Sequence, residues 1–285
     1  MSFIRRYWLE IIMVLPLVLY IFGFALVPVL ETIRLSFYNP ALGTYDFSNY
    51  SYILGQRNFK GAVFNTLTVT ILGLALQLVI ALTIALLLKR AFRGRGFFRT
   101  IMLIPMGVPT IVSGVIMLYI FSSNGYLNVF LRQIGLIDQP IIWNAGGWIT
   151  VFAVIFADMW KVLPIMVLLL LAGLESIPEE VYEASAIDGA TAWQNFWYVT
   201  LPLLKPSITM ALILRAVDAF RIFELPLVLA GRNFPVIATY AYSEFRDYSN
   251  PYTSGAAATI LLGIIILCIL LYIFLVERKD NVQRA

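Results

Sequence analysis

Histidine is absent from this 285-residue sequence, and cysteine occurs only once, as Cys268. A chain without histidine has no histidine metal ligand, no Ser-His or Cys-His nucleophile and no histidine proton relay. A single cysteine excludes an internal disulfide framework and a cysteine-based metal site. We therefore expect no catalytic residue and no metal ligand in this chain.

Charged residues are also scarce, at 13% of the sequence, whereas soluble domains contain about 25%. The hydrophobic fraction is 61% and the mean hydropathy is +0.87. A soluble protein of this size could not bury so much apolar surface, so the composition excludes an ordinary cytosolic enzyme, a disordered chain and a nucleic-acid-binding protein. The bilayer is the solvent that this composition predicts.

Six stretches are long enough to cross a bilayer core, which takes about 20 apolar residues. Four carry no charge, and two are interrupted by charged residues. The sequence thus predicts an all-α membrane protein with six transmembrane helices: Ile11–Leu30, Val63–Leu88, Ile101–Phe121, Ile149–Leu174, Leu203–Ala230 and Ala256–Val276.

The distribution of Lys and Arg predicts that both termini lie in the cytoplasm. With this orientation the inner segments carry eleven of these residues and the outer segments six. Five of the eleven lie in one short segment, KRAFRGRGFFR, which begins at Lys89. We expect this basic loop to act chiefly as the determinant of orientation.

The longest inner loop, residues 175–202, predicts two short helices. Ser176 and Glu179 have the spacing of a capping box, and acidic residues follow in the first turn. Gly189 is expected to end this first helix in a left-handed conformation. The first helix is acidic and also apolar. A partner protein that docks on it is favoured over contact with lipid alone, because the inner leaflet is negatively charged.

The second helix of this loop is predicted from Thr191, which forms a capping box with Gln194, to about Thr200. Leu201 and Pro202 should end it and start the fifth span.

Charged residues within the fourth and fifth spans mark a second candidate site, since ionisable groups at membrane depth usually face a cavity or one another. Counting a rise of about 1.5 Å per residue from the ends of the two spans places three of these charges near the middle of the bilayer: Asp158, Lys161 and Asp218. Four charged residues of the fifth span recur every third position, so a straight helix would not point all of them at one cavity: Arg215, Asp218, Arg221 and Glu224.

Two interpretations of these charges stay open, a lining of a sugar path and a ladder of salt bridges such as Lys161 with Asp218. Aromatic rings can stack on sugars, so Trp160 is a possible stacking platform, although a tryptophan in this position is more often a packing residue. The predicted substrate path comprises Asp158, Trp160, Lys161, Asp218, Phe220, Arg221 and Glu224.

Two motifs resemble those of a known family. Glu183-Ala184-Ser185, Gly189 and Val199-Thr200-Leu201-Pro202 have the spacing of the EAA loop of binding-protein-dependent ABC importers, with Ser185 and Val199 in place of Ala and Ile. Asp218-Ala219-Phe220-Arg221-Ile222-Phe223 is similar to the fifth span of the carbohydrate-uptake permeases of the maltose and trehalose type.

This resemblance implies a type I ABC importer permease, a non-catalytic transmembrane subunit for a di- or oligosaccharide in the inner membrane of a prokaryotic cell. Its implied partners are a second, homologous permease, two ATP-binding cassette subunits, an extracellular or periplasmic sugar-binding protein and membrane lipid. ATP and Mg²⁺ would bind to the ATPase partners and no cofactor to this chain, which lacks the G-x-x-x-x-G-K-[S/T] phosphate loop. The residues implied in ATPase coupling are Glu183, Ala184, Ser185, Asp188, Gly189, Leu201 and Pro202.

The expected organisation has three parts. Residues 1–59 form an anchor helix and the first outer loop, residues 60–276 form the transmembrane core with the coupling loop at 175–202, and residues 277–285 form a cytoplasmic tail. The alternative function is an ion-coupled secondary transporter, in which Asp158 and Asp218 would carry the coupling ion.

Overall fold

Helices make up most of the chain in the computed structural model, which describes the backbone of residues 7–283 and the side chains of residues 7–275. A short β-hairpin, β1 (Tyr38–Asn39) and β2 (Thr44–Tyr45), follows the first helix. In chain order the helices are α1 (Trp8–Phe37, π-helical over Ile21–Leu26), α2 (Ser48–Gly55), α3 (Arg57–Lys89), α4 (Arg95–Leu103), α5 (Thr110–Ile120), α6 (Tyr126–Gln133), α7 (Gly147–Glu175), α8 (Glu179–Ile187), α9 (Ala192–Phe220, π-helical over Phe196–Thr200), α10 (Glu224–Ala230), α11 (Ile237–Arg246) and α12 (Pro251–Gln283).

Five helices of the described chain are long and apolar enough to cross a membrane: α1, α3, α7, α9 and α12. A sixth span is obtained if α4 and α5 are counted together. The all-α membrane fold and the approximate positions of the spans are therefore confirmed.

The predicted third span is not a straight helix. A 3₁₀ turn, Ile104–Gly107, ends the α4 segment, and α5 then runs at 97° to it. Pro109 causes the break because it disfavours a helical backbone at the residue before it, and Val108 is extended, with φ −82° and ψ 127°. The expectation of one continuous helix over Ile101–Phe121 was wrong.

The predicted fifth span is also interrupted. Helix α9 ends at Phe220, and the chain then turns before α10 begins at Glu224. Pro226 supplies the physical reason, since inside a continuing helix its ring would meet the carbonyl group of Ile222. In the first turn of a new helix Pro226 is accommodated without a missing hydrogen bond. The expectation of one helix over Leu203–Ala230 was wrong.

At the other end of this span the helix continues where a boundary was expected. Helix α9 begins at Ala192 and runs through Leu201 and Pro202 without ending. The π-helical turn Phe196–Thr200 ends two residues before Pro202, whose ring would otherwise meet the carbonyl group of Tyr198. The predicted helix end at Thr200 was therefore wrong.

The chain divides into two compact units. The first contains the residues up to Lys60 together with Tyr240–Ile264. In this unit Gly255 allows α12 to approach α1, because an added Cβ would lie 2.9 Å from the carbonyl oxygen of Thr32. Helix α2 is tied to the hairpin by Asn49, which donates hydrogen bonds to the carbonyl groups of Ser36 and Tyr38.

The second unit contains Gly61–Thr239 and the chain from Ile265 onwards. It holds two hydrophobic clusters. One is built from α3, α5, α7 and α10 and includes Val154 and Leu225. The other is built from α3, α7 and α9 and includes Leu170 and Leu204. Along α7 the first cluster ends near Trp160 and the second begins near Leu163, so Asp158 and Lys161 lie where the two meet.

Candidate functional site

A cavity of about 450 Å³ opens within the second unit, beside the breaks in the third and fifth spans. Its wall contains three basic side chains (Lys161, Arg215 and Arg221) and three acidic ones (Asp158, Asp218 and Glu224). Their formal charges cancel. The other lining residues are Thr110, Val162, Ile222, Phe223 and Leu225.

The deepest part of this wall is a buried ion pair. Arg215 Nη2 lies 3.0 Å from Asp158 Oδ2, and only 4% of the Arg215 side chain is exposed. Gln77 of α3 donates to the same Asp158 oxygen at 2.7 Å, and its own oxygen lies 3.4 Å from Arg215 Nε and Nη2. A buried charge is tolerated only when it is paired and hydrogen-bonded, and this network supplies both while joining α3, α7 and α9.

Asp218 extends the network from the interior towards the open side of the cavity. Its Oδ2 atom lies 3.6 Å from Arg215 Nη1, and its Oδ1 atom accepts a hydrogen bond of 2.6 Å from Arg221 Nη2. Asp218 is half exposed, and the Arg221 side chain is 66% exposed. Both therefore present polar groups to a molecule in the cavity.

Lys161 binds a backbone group that the third-span break leaves without a helical partner. Its Nζ atom donates to the carbonyl oxygen of Val108 at 2.6 Å. The suggested salt bridge between Lys161 and Asp218 is therefore not the contact observed. Lys161 contacts Val108, while Asp218 pairs with Arg215 and Arg221. The ammonium group thus connects α7 to the broken span at the cavity wall.

Five of the seven predicted path residues meet at this cavity: Asp158, Lys161, Asp218, Arg221 and Glu224. Trp160 and Phe220 lie outside its lining. Trp160 packs against the first hydrophobic cluster, and Phe220 is buried and lines a separate apolar cavity of about 200 Å³.

The sequence reasoning missed Gln77 and gave Arg215 no place in the substrate path. Gln77 had a detectable signal, because it is the one strongly polar residue between Ile71 and Leu82. Charged residues recur every third position along the fifth span, and a straight helix would spread them around its surface. The break at Arg221 makes that expectation invalid. With the chain turned there, Glu224 faces the same cavity as Arg215.

The loop 175–202 forms the second candidate site. Helix α8 begins after Pro178 with Glu179 and Glu180 in its first turn, at the positive end of the helix dipole. The expected capping box at Ser176 was wrong, because the Ser176 hydroxyl instead donates to the carbonyl group of Gly173. The second capping box, Thr191 with Gln194, is confirmed with both of its hydrogen bonds.

Gly189 ends α8 as predicted, with φ +75°. The N–H of Gly189 donates to the carbonyl group of Ala186, and the N–H of Ala190 donates to that of Ser185. These two hydrogen bonds form a Schellman motif. They set the angle at which the chain leaves α8.

Ser185, which departs from the family pattern, links the two helices of the loop. It is buried, and its hydroxyl donates to the carbonyl group of Tyr182 and accepts a hydrogen bond of 2.9 Å from Asn195 of α9. An alanine at this position would leave the Asn195 amide without this partner.

The exposed surface of the loop 175–202 is both acidic and apolar. Glu183, Ala184 and Asp188 are exposed. Ile187 is 86% exposed and Trp193 is 70% exposed. Large apolar side chains grouped with carboxylates on one surface are typical of a protein-binding site. Of the remaining predicted coupling residues, Leu201 is half buried and Pro202 is exposed, both within α9.

The basic loop contacts this acidic loop directly. Arg95 and Arg99 both form ion pairs with Glu175 at the end of α7. Lys89 Nζ lies 3.8 Å from the centre of the Tyr182 ring, in a cation–π contact. The two loops therefore lie on the same side of the helices that carry them.

Among the described residues, no group of three His, Cys, Asp or Glu side chains is arranged to hold a metal ion. The chemistry available at the cavity is hydrogen bonding by paired carboxylate, guanidinium and ammonium groups. The fold and the site together define a class: a multi-span helical membrane protein with a polar cavity and an exposed acidic helix.

Comparison with known proteins assigns the family. Residues 77–279 match the model of the binding-protein-dependent transport system inner membrane component, so the chain belongs to that family and is an inner membrane component of a transport system. It is 37% identical over 272 residues to the trehalose/maltose transport system permease protein MalF of Thermococcus litoralis, covering 92% of this chain and 91% of that protein. It is 33% identical over 231 residues to the trehalose transport system permease protein SugA of Mycobacterium tuberculosis, covering 80% and 72%.

The fold is shared with a solved bacterial alginate ABC transporter in complex with an alginate pentasaccharide-bound periplasmic protein. One chain of that structure matches with a TM-score of 0.85 and 24% identity, over 97% of this chain and 96% of its own length. The type I importer permease fold implied by the sequence motifs is thereby confirmed.

Proposed function

We propose that this chain is the permease subunit of an ATP-driven importer for a neutral di- or oligosaccharide. The exposed, glycine-terminated helix α8 carries the proposal, because it combines an acidic and apolar surface with a fixed exit angle at Gly189. A chain that surrounds a polar cavity and exposes such a helix is suited to being moved by another subunit.

The sugar part of the proposal is supported by the named cargo of the relatives and by the charge of the cavity. Trehalose and maltose stand in the names of the two relatives. The six ionisable groups of the cavity have no net formal charge, so an anionic solute gains no net attraction. Hydroxyl groups can donate to Asp218 and Glu224 and accept from Arg221.

The partners in this proposal are a second, homologous permease, two ATP-binding cassette subunits, a periplasmic or extracellular sugar-binding protein and the surrounding lipid. ATP and Mg²⁺ belong to the cassette subunits, and this chain performs no catalysis. Both termini and the loop 175–202 face the cytoplasm. In this proposal residues 1–59 anchor the chain, residues 60–276 form half of the path, and residues 277–285 form the tail; residues 1–6 and 284–285 of these parts lie outside the described residues.

The coupling residues act as a lever in this mechanism. Glu183 and Asp188 provide charge to the docking surface, and Ala184 permits close approach of the partner. Ser185 joins α8 to α9, and Gly189 sets the angle between them. Leu201 and Pro202 continue α9 towards Arg215 and Asp218, so a displacement of the loop reaches the cavity through one helix.

Co-purification and uptake test this function. The complete transporter should retain its ATPase subunits and take up labelled disaccharide only with ATP. Glu183→Gln should release the ATPase or lower uptake, while Glu180→Gln, an exposed neighbour on α8, should do neither. Uptake that persists after ATP depletion and depends on an ion gradient would instead support the secondary transporter.

A further inference from the structure

The inner half of the third span is attached to α7 at both of its ends. At one end, Arg95 and Arg99 of α4 share one carboxylate oxygen of Glu175, the last residue of α7. At the other end, Lys161 of α7 holds the carbonyl group of Val108. Lys161 and Glu175 are separated by about 21 Å along α7, at 1.5 Å per residue.

The segment between these two attachments also packs against α7. Met102 contacts the second hydrophobic cluster, to which α7 contributes Leu170 and Leu174. The 3₁₀ turn Ile104–Gly107 lies against α7 as well. Residues 95–108 are thus held at their beginning, middle and end.

The same cluster contacts the coupling helix. Tyr182 of α8 packs against it, and Lys89 lies over the Tyr182 ring. Displacement of α8 would therefore press on the cluster on which α4 rests. The cavity wall at Lys161 lies at the far end of this assembly.

The ion pairs with Glu175 are poorly placed to stabilise the fold. The side chains of Arg95, Arg99 and Glu175 are 28%, 31% and 45% exposed. Solvent-exposed ion pairs contribute little to stability, because water screens them and ordering two long side chains costs entropy. Two arginines on a single carboxylate do, however, define the position of α4 relative to the end of α7.

We propose that residues 95–108 and 161–175 form one rigid unit, here called the strut, which carries movement of the coupling loop to the wall of the charged cavity. This inference rests on the proposed function and identifies Arg95, Arg99 and Glu175 as positioning residues for transport. Because the strut ends at Val108 and Lys161, its displacement changes the cavity where the third span is broken.

Charge exchange in the complete reconstituted transporter tests the strut. Glu175→Gln, and separately Arg95→Glu with Arg99→Glu, should lower the sugar transported per ATP by about fivefold or more, with the ATPase still bound and active. Combining the two arginine changes with Glu175→Arg should recover roughly half or more of the lost coupling, because the pairing is restored with exchanged signs. An unchanged amount of sugar transported per ATP in Glu175→Gln would overturn the inference. So would failure of the triple variant, Arg95→Glu with Arg99→Glu and Glu175→Arg, to recover coupling while it assembles normally.

Two exposed arginines in the same loop provide a matched control. Arg90 and Arg93 form no ion pair with any side chain in the described part of the chain. Arg90→Glu with Arg93→Glu removes the same charge from the basic loop and should leave transport per ATP unchanged. Equal uncoupling in this control would assign the effect to loop charge or orientation and overturn the strut.

A distance measurement tests rigidity independently of activity. Spin labels at Thr100→Cys on α4 and Ala172→Cys on α7 occupy exposed positions, in a chain made cysteine-free by Cys268→Ser. The distance between the labels should be the same in the nucleotide-free and ATP-bound transporter and should become broader or shift in Glu175→Gln. A distance that changes between the two states of the otherwise wild-type transporter would contradict a rigid unit.

Failure of the strut can be distinguished from failure of the proposed function. If the wild-type complex does not import sugar with ATP, both the proposed function and the strut are overturned. If the wild-type complex imports sugar and Glu175→Gln does so equally well, only the strut is overturned.

Discussion

Arg215 Nη2 and Asp158 Oδ2 lie 3.0 Å apart in the interior of the second unit, where α9 and α7 approach the polar side chain of Gln77. This pair holds the two charged spans together at the bottom of the cavity. It also leaves Asp218 and Arg221, nearer the open side, available to a solute. Buried charges and charges exposed to the cavity are therefore separated by depth within one network.

Arg215→Leu should destabilise the chain severely. It would leave the Asp158 carboxylate buried without its cation, at a cost of about 3–5 kcal/mol. Arg221→Leu is the matched control, since its exposed pair with Asp218 is worth about 0.2–1 kcal/mol. Thermal unfolding of the purified complex in detergent should show a large fall in Tm for the first variant and a small one for the second. Equal Tm values would contradict the assigned role of Arg215.

Asp218→Asn should impair transport more than stability. A hydrogen bond to a charged group is worth about 1.5–3 kcal/mol, so uptake at saturating binding protein should fall about tenfold or more. The affinity of the sugar-binding protein for its sugar should not change. Asp138→Asn, at an exposed position in the loop after α6, is the control. Normal uptake by Asp218→Asn would remove this residue from the proposed path.

Gly189→Ala should uncouple ATP hydrolysis from uptake. The backbone at Gly189 has φ +75°, where a Cβ atom costs about 1–2 kcal/mol although nothing lies within 4 Å of it. Gly135, after α6, has φ +73° and equally open surroundings, so Gly135→Ala imposes the same strain elsewhere. Sugar transported per ATP should fall in the first variant alone. A similar fall in both would mean that strain, and not position in the loop, is responsible.

Acid should loosen the turn between β2 and α2. Asp46 accepts hydrogen bonds from the Ser48 hydroxyl, from the Asn39 amide and from the Ser48 N–H, and these lower the pKa of its carboxyl group. Because the folded pKa lies below the unfolded one, this stabilisation is present at neutral pH and is lost as pH falls through the folded pKa. Hydrogen exchange at the Ser48 amide should show a loss of protection on acidification. Asp46→Asn should not show this pH-dependent step, and an equal step in that variant would contradict the assignment.

The positions of the spans were predictable because their signal is local. A run such as Val63–Leu88 is too long and too apolar to lie anywhere but in the bilayer, whatever its neighbours are. Gly189 and the Thr191–Gln194 capping box were predictable for the same reason, since each depends on backbone groups within a few residues. The capping box at Ser176 failed because Ser176 remained hydrogen-bonded to the turn before it.

The breaks in the third and fifth spans were harder to predict. Prolines are common in membrane helices, and Pro164 lies inside the continuous α7 while Pro109 and Pro226 accompany full breaks. A proline produces a break where other groups satisfy the freed backbone, as Lys161 does for Val108. That partner is distant in sequence, so the outcome depends on packing.

The amino-acid sequence by itself determined that this chain is a helical membrane protein with an acidic, glycine-terminated helix in its loop 175–202, because hydropathy and capping act over short stretches of chain. Only the tertiary structure decided which charges meet. Gln77, Asp158 and Arg215 come from three helices, and Glu224 reaches the same cavity only because α9 ends at Phe220. Burial makes each of those charges require a partner, and the identity of that partner is a property of the packed helices.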